Sequence, residues 1–116
     1  MVFSLFQAEA CRLELRDIIE AILAKRICVT DHADEEARAD QLTLNEILFS
    51  VSHGEIIENY ESDWPYPSCL ILGQTEGGIA VHSVWAYNNK SGWAVLVTVY
   101  RPDPEQWANW RGRKKD

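Results

Sequence analysis

Three histidines, His32, His53 and His82, are the side chains of this chain that exchange a proton near neutrality. His32 stands in Thr30-Asp31-His32-Ala33, at the start of an expected helix. The positive end of the helix dipole opposes its protonation and adjacent Asp31 favours it. The position therefore suits either a surface first-turn residue or an acid/base group. His53 closes another expected helix beside Gly54, where attraction to the negative dipole end accounts for a histidine. His82 falls in a strand-like run and shares a face with Ala80, Val84 and Ala86. The following strand offers Leu96, Thr98 and Tyr100 on one face and Val95, Val97 and Val99 on the other. The valine row is the better match for a helix-covered core. On the opposite face His82 would meet Thr98 and Tyr100, a set able to move protons. A hydrogen-bonded, partly buried histidine fits the same place. Arg101, before Pro102, can hold an anion or pair with a nearby carboxylate.

Other chemistry is poorly provided for. Cys11, Cys28 and Cys69 are odd in number and not closely paired, which favours buried reduced thiols over a disulfide framework. Cys28 and His32 are four apart, but two residues do not make a metal site. Glu76-Gly77-Gly78 is a turn with no helix after it, so it is not a phosphate loop. No metal and no cofactor is expected. The start Met1-Val-Phe-Ser lacks a basic segment and is interrupted by Glu9, unlike a signal peptide. No apolar run approaches the roughly 20 residues that span a bilayer, so a cytoplasmic protein without membrane contact is expected.

Charge bears on partners. The chain has 116 residues and a net charge of -7. The tail Arg111–Asp116 holds four cations and one anion, which leaves residues 1–110 at -10. Such a body opposes a phosphate backbone, because nucleic-acid affinity comes largely from Lys and Arg. Trp107, Trp110 and the basic residues after them interleave as a stacking, phosphate-contacting arm would, or form a solvated terminus.

The elements follow from periodicity. Leu15, Ile18, Ile19, Ile22 and Leu23 make one stripe of a helix from about Glu9 to Lys25. Ile27-Cys28-Val29 is a short apolar piece that fits a brief edge strand. Thr30-Asp31 caps a short helix to about Ala39, and Thr43-Leu-Asn-Glu46 is a capping box for a helix from Leu44 to about His53. Leu42 and Ile47 form its hydrophobic staple, and Leu44, Ile47, Leu48 and Val51 face one way. Glu55–Glu61 can serve as an edge strand beside a three-stranded meander running from Pro67 to Asp103. Asp103-Pro104-Glu105 then starts a short helix, Glu105 to about Arg111. The expected fold is α+β: N-terminal helices on one face of a four-stranded antiparallel meander sheet, with a short C-terminal helix.

Five motifs in order carry a family resemblance: Val29-Thr-Asp-His32-Ala, Gly54-Glu-Ile-Ile-Glu within Ile47 to Tyr60, Pro67-Ser-Cys-Leu-Ile-Leu-Gly73, Val81-His82-Ser-Val-Trp-Ala-Tyr87, and Val97-Thr-Val-Tyr100-Arg-Pro-Asp-Pro-Glu. Over Cys28 to Trp107 the chain resembles the family catalogued as domain of unknown function 4258. That family looks like a relative of the RelE-like and MqsR-like toxins, which are metal-independent ribonucleases often held by an antitoxin. The resemblance implies an N-terminal helical extension at 1–27, a RelE-like toxin-type domain at 28–110 and a basic tail at 111–116. It implies a site where a ribose 2′-hydroxyl attacks the adjacent phosphate. His32 and His82 would exchange protons, and Tyr100 and Arg101 would assist proton transfer and balance charge.

Family members tend to carry a basic helix after the first histidine. Here it reads Asp34-Glu-Glu-Ala-Arg38-Ala-Asp40, with Arg38 its one cation, so RNA is disfavoured by charge. Arg38, Trp64 and Trp107 are the expected binding residues. Two readings stand: a toxin-like RNA endonuclease paired with an antitoxin protein, and a non-catalytic interaction module or decayed toxin relative. A homodimer through Glu55–Glu61 is a third.

Overall fold

Leu15, Ile18, Ile19 and Ile22 do recur on one side of a helix, α1, Leu15–Leu23. The computed structural model describes residues 13–108 and 110–113; the expected start at Glu9, Cys11 and the end of the basic tail lie outside them. Leu23, the last helical residue, departs from the stripe and is exposed, and the chain then turns at Lys25 with φ 61°. Next come β1, Ile27–Val29, and α2, Asp31–Ala39, whose cap is Thr30 Oγ1 accepting from the Ala33 N–H at 3.0 Å. The capping box forms as expected on α3, Leu44–Ser52: Thr43 N–H donates to Glu46 Oε1 at 2.9 Å and Glu46 N–H donates to Thr43 Oγ1 at 3.1 Å. Leu42 and Ile47 are both buried, as a staple requires, while Leu44 is exposed rather than on the core stripe.

Four strands follow: β2, Glu55–Tyr60; β3, Ser68–Gln74; β4, Ala80–Asn88; and β5, Trp93–Tyr100. They pair antiparallel in sequence order, with β2 at one edge. The sheet is nevertheless five-stranded and mixed, because β1 adds to the far side of β5 in parallel. Both ends of β1 are pinned: Arg26 Nε donates to the Gly92 carbonyl at 3.1 Å and Thr30 Oγ1 to the Val97 carbonyl at 3.2 Å. Three residues paired across more than sixty carry no local signal of partner or direction, so the brief edge strand they suggest could not be joined from sequence to the four-stranded sheet.

The helices α1 and α3 cover one face, where Ile18, Ala21, Ile47 and Val51 pack with Cys69, Ile71, Val81, Trp85, Leu96 and Val99. Helix α3 lies close on β3. A Cβ on Gly73 would stand 1.8 Å from the Ser50 carbonyl oxygen, and one on Gly54 would stand 2.6 Å from it. The core row on β5 is Ala94, Leu96 and Val99, not the three valines. Val84 pairs with Thr98 but Trp85 with Leu96, so Val97 is a bulge residue and the alternation changes phase there. The bulge leaves Val97 exposed and keeps Thr98 and Tyr100 on the second face. Cys28, opposite Val95 on the edge strand, is exposed and corrects the expectation of buried thiols; Cys69 is buried.

Beyond the end of β1, α2 takes over the edge of β5. Glu36 Oε1 accepts from the Val99 N–H at 3.1 Å and Asp40 Oδ2 from the Arg101 N–H at 2.7 Å. Positions i and i+4 on a helix lie about 6 Å apart, as do i and i+2 on a strand, so the two carboxylates match two successive edge donors. The acid in this helix thus stands in for a neighbouring strand and blunts the edge.

The expected C-terminal helix does not form. Asp103 starts a turn, its Oδ1 accepting from the Glu105 N–H at 2.8 Å and its carbonyl from Gln106 and Trp107. The chain then extends into a two-stranded ribbon, β6, Trp107–Ala108, and β7, Gly112–Arg113. Seven residues make a marginal helix, and burying Trp107 on the second face of the sheet outweighs it.

Candidate functional site

His82 sits in β4 directly across from Tyr100 in β5, on the face away from the helices, as the alternation requires. Its neighbour on the other side is Leu72 of β3, and the ring is fully buried. Nε2 lies 2.6 Å from the Trp110 carbonyl oxygen, which can only accept, so Nε2 carries the proton. In that tautomer Nδ1 accepts from the Tyr100 hydroxyl at 3.2 Å. The Trp107 ring meets the imidazole edge-on, centroids 4.4 Å apart. His82, Tyr100 and Trp107 therefore converge under the C-terminal ribbon, with the imidazole closed to solvent and Tyr100 half-buried.

The remaining expected residues stand elsewhere. His32 is exposed in the first turn of α2, its Nε2 3.3 Å from Glu36 Oε1. The same carboxylate accepts from the Thr98 hydroxyl, so His32 reaches the strand that carries Tyr100 without reaching Tyr100. Thr98 and Tyr100 are same-face neighbours about 7 Å apart. Arg38 is exposed and pairs with Asp34 at 3.0 Å. Arg101 is exposed, and its backbone rather than its guanidinium holds Asp40. Trp64, 90% exposed beside a cis Pro65, sits in the β2–β3 connection, at the sheet end opposite to His82.

A second site was not anticipated. A groove of about 640 Å³ runs between the end of α3, the β2 and β3 ends and the ribbon, lined by Phe49, His53, Glu55, Glu76, Trp110 and Arg111 among others. Its volume is within the roughly 300–1,000 Å³ of ligand sites. Glu55 and Arg111 form an ion pair across it. His53 stacks on Phe49, and its Nδ1 lies 3.1 Å from the Phe49 carbonyl, so Nδ1–H donates to it. The helix-end position explained His53 fully from sequence, and only the ribbon reveals the groove. Trp110 links the two sites, since its carbonyl holds His82 and its residue lines the groove at φ 67°. Such a φ is uncommon for an aromatic residue and favours a fixed turn. Among the described residues no cluster of three or more His, Cys, Asp or Glu could hold a metal ion, and no helix is long and apolar enough to cross a membrane.

An α+β domain with a mixed five-stranded sheet is the class these elements define. The family model described as Domain of unknown function (DUF4258) matches residues 29–101, more than half of the chain, and the chain belongs to that family. Comparison with curated proteins and with solved structures returns no match.

Proposed function

We propose that this chain is a toxin-type protein of a two-protein pair that works by contact with its partner, as an interaction module rather than as a catalyst. The observation that supports this best is the closure of His82: both ring nitrogens are hydrogen-bonded and the ring is fully buried. The site expected from the resemblance needs a base, an acid and a cation at one phosphate. Here the two histidines are separated, one exposed on α2 and one beneath the ribbon, and the exposed Arg38 is paired with Asp34. The net charge of -7 further opposes an RNA substrate. The RelE-like likeness and the antitoxin partner belong to this proposal.

The second reading is a metal-independent RNA endonuclease, and the hydrogen-bonded His82–Tyr100 pair favours it. It needs the ribbon displaced, since Trp107 and the Trp110 carbonyl cover the imidazole. Induction of the chain alone in a bacterium, beside a folded His32→Ala/His82→Ala variant, separates the readings. Intact RNA with both proteins, and one defined protein recovered in equal amount with tagged wild type, is the expected outcome. RNA fragments with wild type alone would replace the interaction reading by the endonuclease.

A further inference from the structure

The groove at the ribbon carries a reading of the partner, and this inference rests on the interaction reading above. Its lining combines two aromatic residues, Phe49 and Trp110, with two carboxylates, Glu55 and Glu76. Arg111 is its one arginine, and that guanidinium already lies on Glu55. An anion entering here would meet both carboxylates. A planar cation would find the fork acceptor of a carboxylate beside an aromatic residue, Trp110, the two features that select guanidinium. The groove is much larger than one side chain, so it has room for the residues flanking it.

We infer that the groove binds the arginine of a basic segment on a partner protein, and that Arg111 holds its place until such a segment arrives. The ion pair that must yield is exposed, its side chains 60% and 51% accessible, and pairs of this kind hold weakly. The acidic body, -10 over residues 1–110, draws a basic segment in and raises its rate of encounter. Because Arg111 adjoins Trp110, displacing it bears on the turn whose carbonyl receives the His82 proton.

The test is a titration of the isotope-labelled full chain with the peptide acetyl-Gly-Arg-Gly-Arg-Gly-amide, followed by amide and indole NMR shifts at about 150 mM salt, where surface attraction is screened. The expected result is saturable shifts at Gly54, Gly73 to Glu76 and the Trp110 indole, absent when citrulline replaces both arginines. Glu55→Gln and Glu76→Gln each weaken binding by about fivefold or more, and Arg111→Ala tightens it several-fold by removing the competitor. All three positions are at the surface, and unchanged shifts at core amides verify the fold of each variant. Equal binding of the citrulline peptide, shifts scattered over the acidic surface, or no shift overturns the proposal. Weaker binding by a folded Arg111→Ala overturns the place-holder role. RNA cleavage by a chain that binds the peptide would remove the interaction reading and leave the groove standing. Intact RNA without peptide binding would do the reverse.

Discussion

His82, of a residue type suited to catalysis, is held by the fold at both ring nitrogens. Its Nε2–H anchors the Trp110 carbonyl, its Nδ1 receives Tyr100, and its ring edge meets Trp107. His82→Leu leaves the half-buried Tyr100 hydroxyl and Trp110 carbonyl without that partner, at a cost of about 1 kcal/mol or somewhat more. Chemical denaturation followed by tryptophan fluorescence should show this loss, with Trp107 moving towards solvent. A loss near zero would mean that the ribbon does not depend on His82. The two described cysteines offer a second test. Burial, and secondarily the charge of Asp17, pushes the Cys69 thiol from 9.0 up to about 12, whereas Cys28 is exposed. Iodoacetamide at pH 8 should modify Cys28 and spare Cys69 until the protein is unfolded, as peptide masses would show. Since the folded thiol keeps its proton beyond the unfolded value, the stability Cys69 supports is present below pH 9.0 and falls as pH rises towards about 12. The slope from this one group is at most about 1.4 kcal/mol per pH unit. Alternation placed His82 beside Tyr100 correctly, because it depends only on strand phase. The alternative of a hydrogen-bonded, partly buried His82 was legible, but its complete cover was not, since that comes from a segment whose own sequence favours a helix turn.

Elements in this chain are set by caps and close approaches that the sequence states plainly, and by edges that it does not. The Thr43–Glu46 box formed as the residues demand. The edge strand at Ile27–Val29 was legible but its parallel pairing with β5 was not, nor was the bulge at Val97, because each answers to a pairing distant in sequence. The acid of α2 looked like a defect in an RNA site, yet Glu36 and Asp40 satisfy the Val99 and Arg101 amides. Asp40→Ala should speed hydrogen exchange at the Arg101 amide by an order of magnitude or more, while Val99 stays protected by Glu36, and cost about 1 kcal/mol or somewhat more. Unchanged exchange at Arg101 would remove the edge-capping role. Gly73→Ala should cost at least the ~3 kcal/mol of severe overpacking, since the new methyl falls on the α3 backbone. A thermal midpoint within a few degrees of wild type would show that α3 can move away from β3.

At the scale of the whole molecule, charge and closure point the same way. The body repels phosphate, the acid/base pair lies beneath a ribbon, and the groove beside that ribbon presents carboxylates and aromatic rings. A surface of this kind suits a basic protein segment better than a nucleic acid. The family resemblance pointed to chemistry through single residues, each of which is present. What five motifs in a row do not state is whether their side chains meet in the open, and here they do not. The most direct test is incubation of the purified chain, beside folded His82→Gln, with end-labelled single-stranded RNA in a metal-chelating buffer. The account expects intact RNA with both proteins. Fragments ending in 2′,3′-cyclic phosphate, made by wild type and not by His82→Gln, would contradict it and return His82 to catalysis.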